Sequence, residues 1–114
     1  MNTQENIIPG KTIAVVSYLT FIGALIALFM HKDNPTKFGG FHLRQAIGIH
    51  LLQLSLAFVI GWFDSLLIFS AFWVFIVVLW AFGFIGAAQG KYQEIPVLGP
   101  LFQKWFSIIV PTIN

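Results

Sequence analysis

Cysteine is absent from this 114-residue chain, which excludes disulfides, thiolate metal sites and cysteine nucleophiles and leaves the redox compartment open. Charge is scarce as well. Asp, Glu, Lys and Arg make up 9% of the residues against 58% that are hydrophobic. A soluble domain of this size would need far more polar surface, because small domains leave a large share of their area exposed. The six Lys and Arg residues give a formal net charge of +2, but they are spread along the chain and form no patch that would hold nucleic acid. No phosphate-binding glycine loop or dinucleotide fingerprint occurs. Ser17, Ser55, Ser65, Ser70 and Ser107 lack the glycine context of a nucleophile elbow, and Glu5, Asp33, Asp64 and Glu94 sit in or beside loops without pairing. The sequence therefore predicts no enzyme, no catalytic residue and no cofactor.

What the chain does contain is apolar length. After a polar tail over 1–11, residues 12–30 carry no charge, and at the usual helical rise such a run covers about 29 Å, close to a hydrocarbon core of about 30 Å. It ends in Met30-His31-Lys32-Asp33-Asn34-Pro35 with no small-residue cleavage site, so it reads as a first span and not as a removable leader. A basic loop is expected over 31–40, where charges, an Asn-Pro step and paired glycines interrupt the pattern. Spans two and three follow over 41–63 and 65–90, joined by a tight turn at Asp64. A connector with two prolines and a short apolar segment fill 91–114. The segment is too short to cross before Pro111, and Gln103, Lys104 and Trp105 suit a helix lying at the headgroup level. The expected fold is all-α: an integral membrane three-helix bundle with a short interfacial C-terminal helix. With three spans, Lys32, Lys37, Arg44, Lys91 and Lys104 share one side and Lys11 stands alone on the other. The positive-inside rule then places the N-terminus outside and the C-terminus in the cytoplasm.

The second span organises the rest, because it is apolar yet carries Arg44, Gln45, His50, Gln53 and Ser55. Polar groups in hydrocarbon are expensive and face a neighbouring helix or a wet cavity. At about 100° per residue, His42, Ala46, His50, Gln53, Ala57, Gly61 and Asp64 fall in one quadrant, with Arg44, Gly48 and Ser55 nearly opposite. The third span is expected on one of these faces, and the first span or a second protomer on the other. His42, His50, Gln53 and Asp64 form a candidate intramembrane polar face. His50 has two readings: a proton-carrying or ligand-binding group, or an interhelical hydrogen bond near Gln53 or to a backbone carbonyl. His42 and His50 lie about 12 Å apart along the axis, so no metal site is assigned. Arg44 reads as a topological anchor or a phosphate contact. Small residues that allow close helix approach stand at Thr20, Gly23, Ala24 and Ala27 in the first span and at Gly83, Gly86, Ala87 and Gly90 at the end of the third.

The run SYLTFIGALIALFMHKDNPTKFGGFHLRQAIG, followed by the Gly- and Ala-rich end of the third span and by GKYQEIPVLG, resembles a family of small bacterial membrane proteins. That family is related to the twenty-kilodalton Tic component of the chloroplast inner-envelope import apparatus. The resemblance runs from Lys11 to Leu101, and its most recognisable pieces are the opening of the second span, with Phe41, His42, Arg44 and Gln45, and the stretch from Gly90 to Pro96. It implies a bacterial inner-membrane protein and marks the Phe41 to Gln45 segment as a family interface. Three functions are then in view. The first is a non-enzymatic, self-associating or accessory component of a membrane assembly, related to translocation. The second is an oligomeric pore or small-solute pathway lined by His50, Gln53 and Asp64. The third is a lipid-binding or membrane-organising protein. The expected partners are the lipid bilayer and other copies or membrane subunits, with no nucleic acid.

Overall fold

The computed structural model describes residues 8–62 and 64–112, with the side chain of Ile60 left aside; the tail before Ile8, Phe63 and residues 113–114 fall outside that description. Five helices and no strand are found among the described residues: α1 (Lys11–Leu19), α2 (Phe21–Asp33), α3 (Lys37–Ile60), α4 (Leu66–Ala88) and α5 (Gly99–Trp105). Of these, α4 is the one helix both long and apolar enough to cross a bilayer by itself. The longer α3 carries Lys37, Arg44, two histidines and two glutamines.

The first apolar run is not one helix. At Thr20 the backbone is extended (φ −151°, ψ 170°), which ends α1 and begins α2, and the Thr20 hydroxyl accepts the Gly23 N–H at 2.8 Å as an N-cap. The turn closes so tightly that a Cβ on Gly23 would lie 2.5 Å from the Val16 carbonyl oxygen. The two helices return on each other, and Gly10 (φ +88°), at the head of α1, lies against Thr36 and Gly39 at the head of α3. The start of the first run and the following loop therefore share one end of the molecule, where the sequence had placed them at opposite ends. The loop itself contracts to 34–36. Thr36 caps α3 by accepting the Gly39 N–H at 3.0 Å, and the paired glycines continue as helix because they are needed for close packing, Gly40 lying against His31 and Arg44.

Helices α3 and α4 run antiparallel, α4 opening at Ser65, whose hydroxyl accepts the Ile68 N–H at 3.3 Å. Gly90 (φ +74°) turns the chain into a connector without regular structure over 91–95. Two apolar clusters hold the elements together. One joins Tyr18, Phe38, Ile49, Leu79, Ile95 and Phe102, and the other joins Ile13, Ala27, Leu43 and Val110. Helix α5 packs on α3 by one side and leaves Leu101, Lys104 and Trp105 exposed on the other. Phe102 is buried against Gly48 of α3, at a position where any side chain on residue 48 would collide with its ring.

Candidate functional site

Four polar residues of α3, His42, Arg44, Gln45 and His50, lead to backbone groups of other segments. A helix end leaves carbonyls unsatisfied, and in an apolar surrounding each must find a donor. The break at Thr20 creates such carbonyls at the end of α1. His50 Nε2 donates to the Ser17 oxygen at 2.9 Å, and Trp80 Nε1 of α4 donates to the Tyr18 oxygen at 2.7 Å. Since a carbonyl can only accept, the proton of neutral His50 sits on Nε2 and its Nδ1 is an acceptor. The Gln53 carboxamide lies 3.3 Å from Nδ1 and offers an N–H there when its amide is turned over, an orientation equivalent in shape.

One turn into α3, His42 and Gln45 hold the connector. His42 Nε2 donates to the Lys91 carbonyl at 2.7 Å, which fixes Nδ1 as the acceptor of the Tyr18 hydroxyl proton at 2.8 Å. The Tyr18 oxygen in turn accepts from Gln45 Nε2 at 2.9 Å. The same Gln45 nitrogen donates to the Gln93 carbonyl at 3.0 Å, and its Oε1 accepts the Ile95 N–H at 2.8 Å. His42, Gln45 and Tyr18 are all fully enclosed. Around them Phe38 and Phe41 present their edges to the His42 ring at centroid distances of 4.7 and 5.0 Å.

The opposite side of α3 binds the C-terminal segment. Arg44, 6% exposed, donates through Nε to Gln103 Oε1 at 2.6 Å and through a terminal nitrogen to the Val110 carbonyl at 3.0 Å. Gln103 Nε2 donates to the Phe41 carbonyl at 2.8 Å. Both Arg44 partners are uncharged. Beside it His31 is buried, and its Nδ1 has no hydrogen-bond partner among the described residues. Burial, with the Arg44 charge second, holds the His31 imidazole below the ordinary histidine range.

The angular reading of α3 thus separates two faces, of which one meets the first apolar run as expected and the other meets the C-terminal segment in place of the third span. The His42 and His50 face meets α1 and the connector, and the Arg44 and Gly48 face meets α5 and the turn after it. Phe41, His42, Arg44 and Gln45 divide between two networks, His42 and Gln45 meeting at Tyr18 and Arg44 meeting the Phe41 carbonyl through Gln103. Gln53 lines a cleft of about 50 Å³ between α3 and α4 with Phe72 and Trp73. Asp64 is exposed in the turn between α3 and α4 and does not join His42, His50 or Gln53. Among the small residues, Gly23, Ala24 and Ala27 are buried, whereas Thr20 is the exposed break. Gly83 is occupied within the chain by Tyr18, with 2.7 Å from a built Cβ to the ring, and Gly86 by Gln93. Sequence reasoning missed Tyr18, Trp80 and Gln93. The available signal was a lone tyrosine hydroxyl inside an uncharged run, which needs a partner when buried.

Among the described residues the fold is helical, with one strongly apolar, exposed helix and with buried polar side chains committed to backbone groups, a pattern that suits a membrane-associated protein. The chain is similar to a UPF0132 membrane protein of Methanocaldococcus jannaschii, 33% identical over 100 residues that cover 81% of this chain and 66% of that protein. It is also similar to an uncharacterized protein of Dictyostelium discoideum, 28% identical over 97 residues that cover 82% of this chain and 28% of the other. The chain thus spans just under two thirds of the first relative and little more than a quarter of the second. Neither relative links the chain to the chloroplast import component. No family model matches the chain, and no solved structure matches it.

Proposed function

We propose that this chain is a non-enzymatic, multi-pass integral membrane protein serving as an accessory component of an inner-membrane assembly, with α3 and α4 crossing the bilayer as a hairpin. The observation that carries the reading is the fate of the α3 side chains. His42, Arg44, Gln45 and His50 each end on the backbone of another segment, so the groups best suited to proton transfer or ligand binding act as structural ties. Lengths support the crossing hairpin. The 24 residues of α3 and 23 of α4 reach about 35 Å, enough for a hydrocarbon core of about 30 Å.

All six Lys and Arg residues support one orientation for the hairpin. Lys11, Lys32, Lys37, Arg44, Lys91 and Lys104 belong to the segments gathered at the end where α3 begins and α4 ends, while Asp64 marks the other end. The positive-inside rule then places the basic end in the cytoplasm. This reading places residue 10 on the same side as the connector, in place of the outside position expected from three spans.

Alkaline carbonate treatment of membranes tests the integral reading, and release of the protein into the supernatant overturns it. Gentle detergent extraction followed by mass measurement tests the accessory role. Copurifying subunits or a defined oligomer are expected, and a strictly monomeric protein with no partner removes that part of the proposal.

A further inference from the structure

The molecule is thick at one end and thin at the other. On α3, burial is concentrated between Phe38 and His50, and no residue over 51–59 is buried; on α4 the buried residues are Ile76, Leu79, Gly83, Gly86 and Ala87, with none over 66–75. The other segments stop at the same level. The α1 to α2 turn reaches His50, where Ser17 accepts its proton and the Phe21 ring lies 6.3 Å from the imidazole. The C-terminal segment reaches it through Phe102 on Gly48 and through Ile109, which shares a groove with His50 and Leu51. Past this level, among the described residues, only the α3–α4 hairpin continues, uncovered on its outer sides, with Phe58 72%, Trp62 79%, Leu66 80% and Leu67 80% exposed.

From this shape we propose that the protein is a one-leaflet wedge whose preferred partner is a curved lipid bilayer, with the leaflet around the basic end on the convex face. The inference rests on the crossing α3–α4 hairpin proposed above. With 9 residues in α1 and 13 in α2, these helices cover about 14 and 20 Å. Neither spans a hydrocarbon core of about 30 Å, and their return to Thr36 makes them a re-entrant pair. Lipid-facing backbone at such a turn must be satisfied within the protein, and His50, Trp80 and Thr20 do this. One leaflet therefore accommodates α1, α2, α3, α4 and the α5 segment, each about 10 Å across, and the other leaflet only two such cylinders. A second copy does not remove the asymmetry. With the basic residues gathered at the thick end, neighbouring copies insert in the same sense, and thick ends side by side splay the thin ends apart.

The test uses the full chain, labelled at a single Lys32→Cys site, in giant vesicles of phosphatidylethanolamine and phosphatidylglycerol from which narrow membrane tubes are drawn. An impermeant quencher identifies the copies whose basic end faces outward. These copies are expected to be enriched severalfold in the tube over the parent vesicle, increasingly so as the tube narrows, and the opposite population depleted. Equal density of both populations in tube and vesicle overturns the proposal. A second measurement reads the half-depth turn directly, since the chain has no cysteine of its own. Leu19→Cys is expected to resist impermeant maleimide from both sides, whereas Lys32→Cys reacts at the basic end and Trp62→Cys at the opposite end. Reaction of Leu19→Cys together with Trp62→Cys from the thin end means that the first run crosses, and it also overturns the wedge. Extraction by alkaline carbonate would instead overturn the integral-membrane reading beneath it.

Discussion

His50 Nε2 lies 2.9 Å from the carbonyl oxygen of Ser17, so a side chain near the middle of α3 caps a helix that ends within the apolar interior of another part of the chain. Removing the donor while keeping the volume isolates this contact. His50→Leu leaves the Ser17 carbonyl without a partner and is expected to lower stability by about 1–3 kcal/mol, the cost of an unsatisfied buried acceptor. His50→Gln, which can still donate, is expected to recover part of the loss. Thermal unfolding in detergent reads both, and wild-type stability in His50→Leu would show that the cap contributes nothing.

Tyr18 is the bridge between His42 and Gln45, donating to one and accepting from the other. Tyr18→Phe deletes both bonds and is expected to cost about 1–3 kcal/mol. Because His42, Gln45 and Tyr18 share one network, Tyr18→Phe and Gln45→Leu should be less than additive, a coupling of about 0.5–3 kcal/mol. Strict additivity in a double-mutant cycle would show that the three act independently.

Gly48 touches the Phe102 ring, and no side chain fits between them. Gly48→Ala is expected to unseat α5, and limited proteolysis should then cut the segment after Gly99 far faster than in the wild type. Combining it with Phe102→Ala relieves the collision but not the lost contact, so protection should remain incomplete. Unchanged protection in Gly48→Ala would contradict the seating of α5 on α3.

Val97 adopts φ +67° in a tight turn whose Leu98 N–H donates to the Pro96 carbonyl at 2.7 Å. Positive φ is strained for a β-branched residue, at about 1–3 kcal/mol, and the exposed side chain gives little in return. Val97→Gly is therefore expected to be at least as stable as the wild type despite glycine's greater freedom when unfolded. A clear drop in its melting temperature would place a packing role on this valine.

His31 gives a pH dependence with a definite sign. Burial and Arg44 lower its folded-state pKa below the unfolded value near 6.5, so its contribution is intact above that value and is lost as pH falls from there toward the folded pKa. Melting temperature is expected to fall between pH 8 and pH 5, and to fall less in His31→Asn. Identical pH profiles for the two proteins would exclude His31 as a source of acid sensitivity.

The sequence determined the solvent and the polarity of the central helix by itself. Its shortage of charge, the uninterrupted apolar run from Leu66 to Ala88 and the separation of His42 and His50 from Arg44 by helical angle depend only on composition and on a period of about 3.6 residues. Helix capping at Thr36 and Ser65 also lies within reach of local chemistry.

The break at Thr20 was not legible, because a threonine inside a run of helix formers carries no stop signal. What stabilises the break is the supply of donors from residues 33 and 62 positions away, His50 to Ser17 and Trp80 to Tyr18. The same holds for the connector, whose carbonyls are met by His42 and Gln45 across the fold. Local propensity sets where a helix can continue, but the satisfaction of backbone groups at a distance decides where it can stop. Tertiary structure alone therefore settled that the first apolar run turns back halfway and that the molecule has a thick end and a thin one.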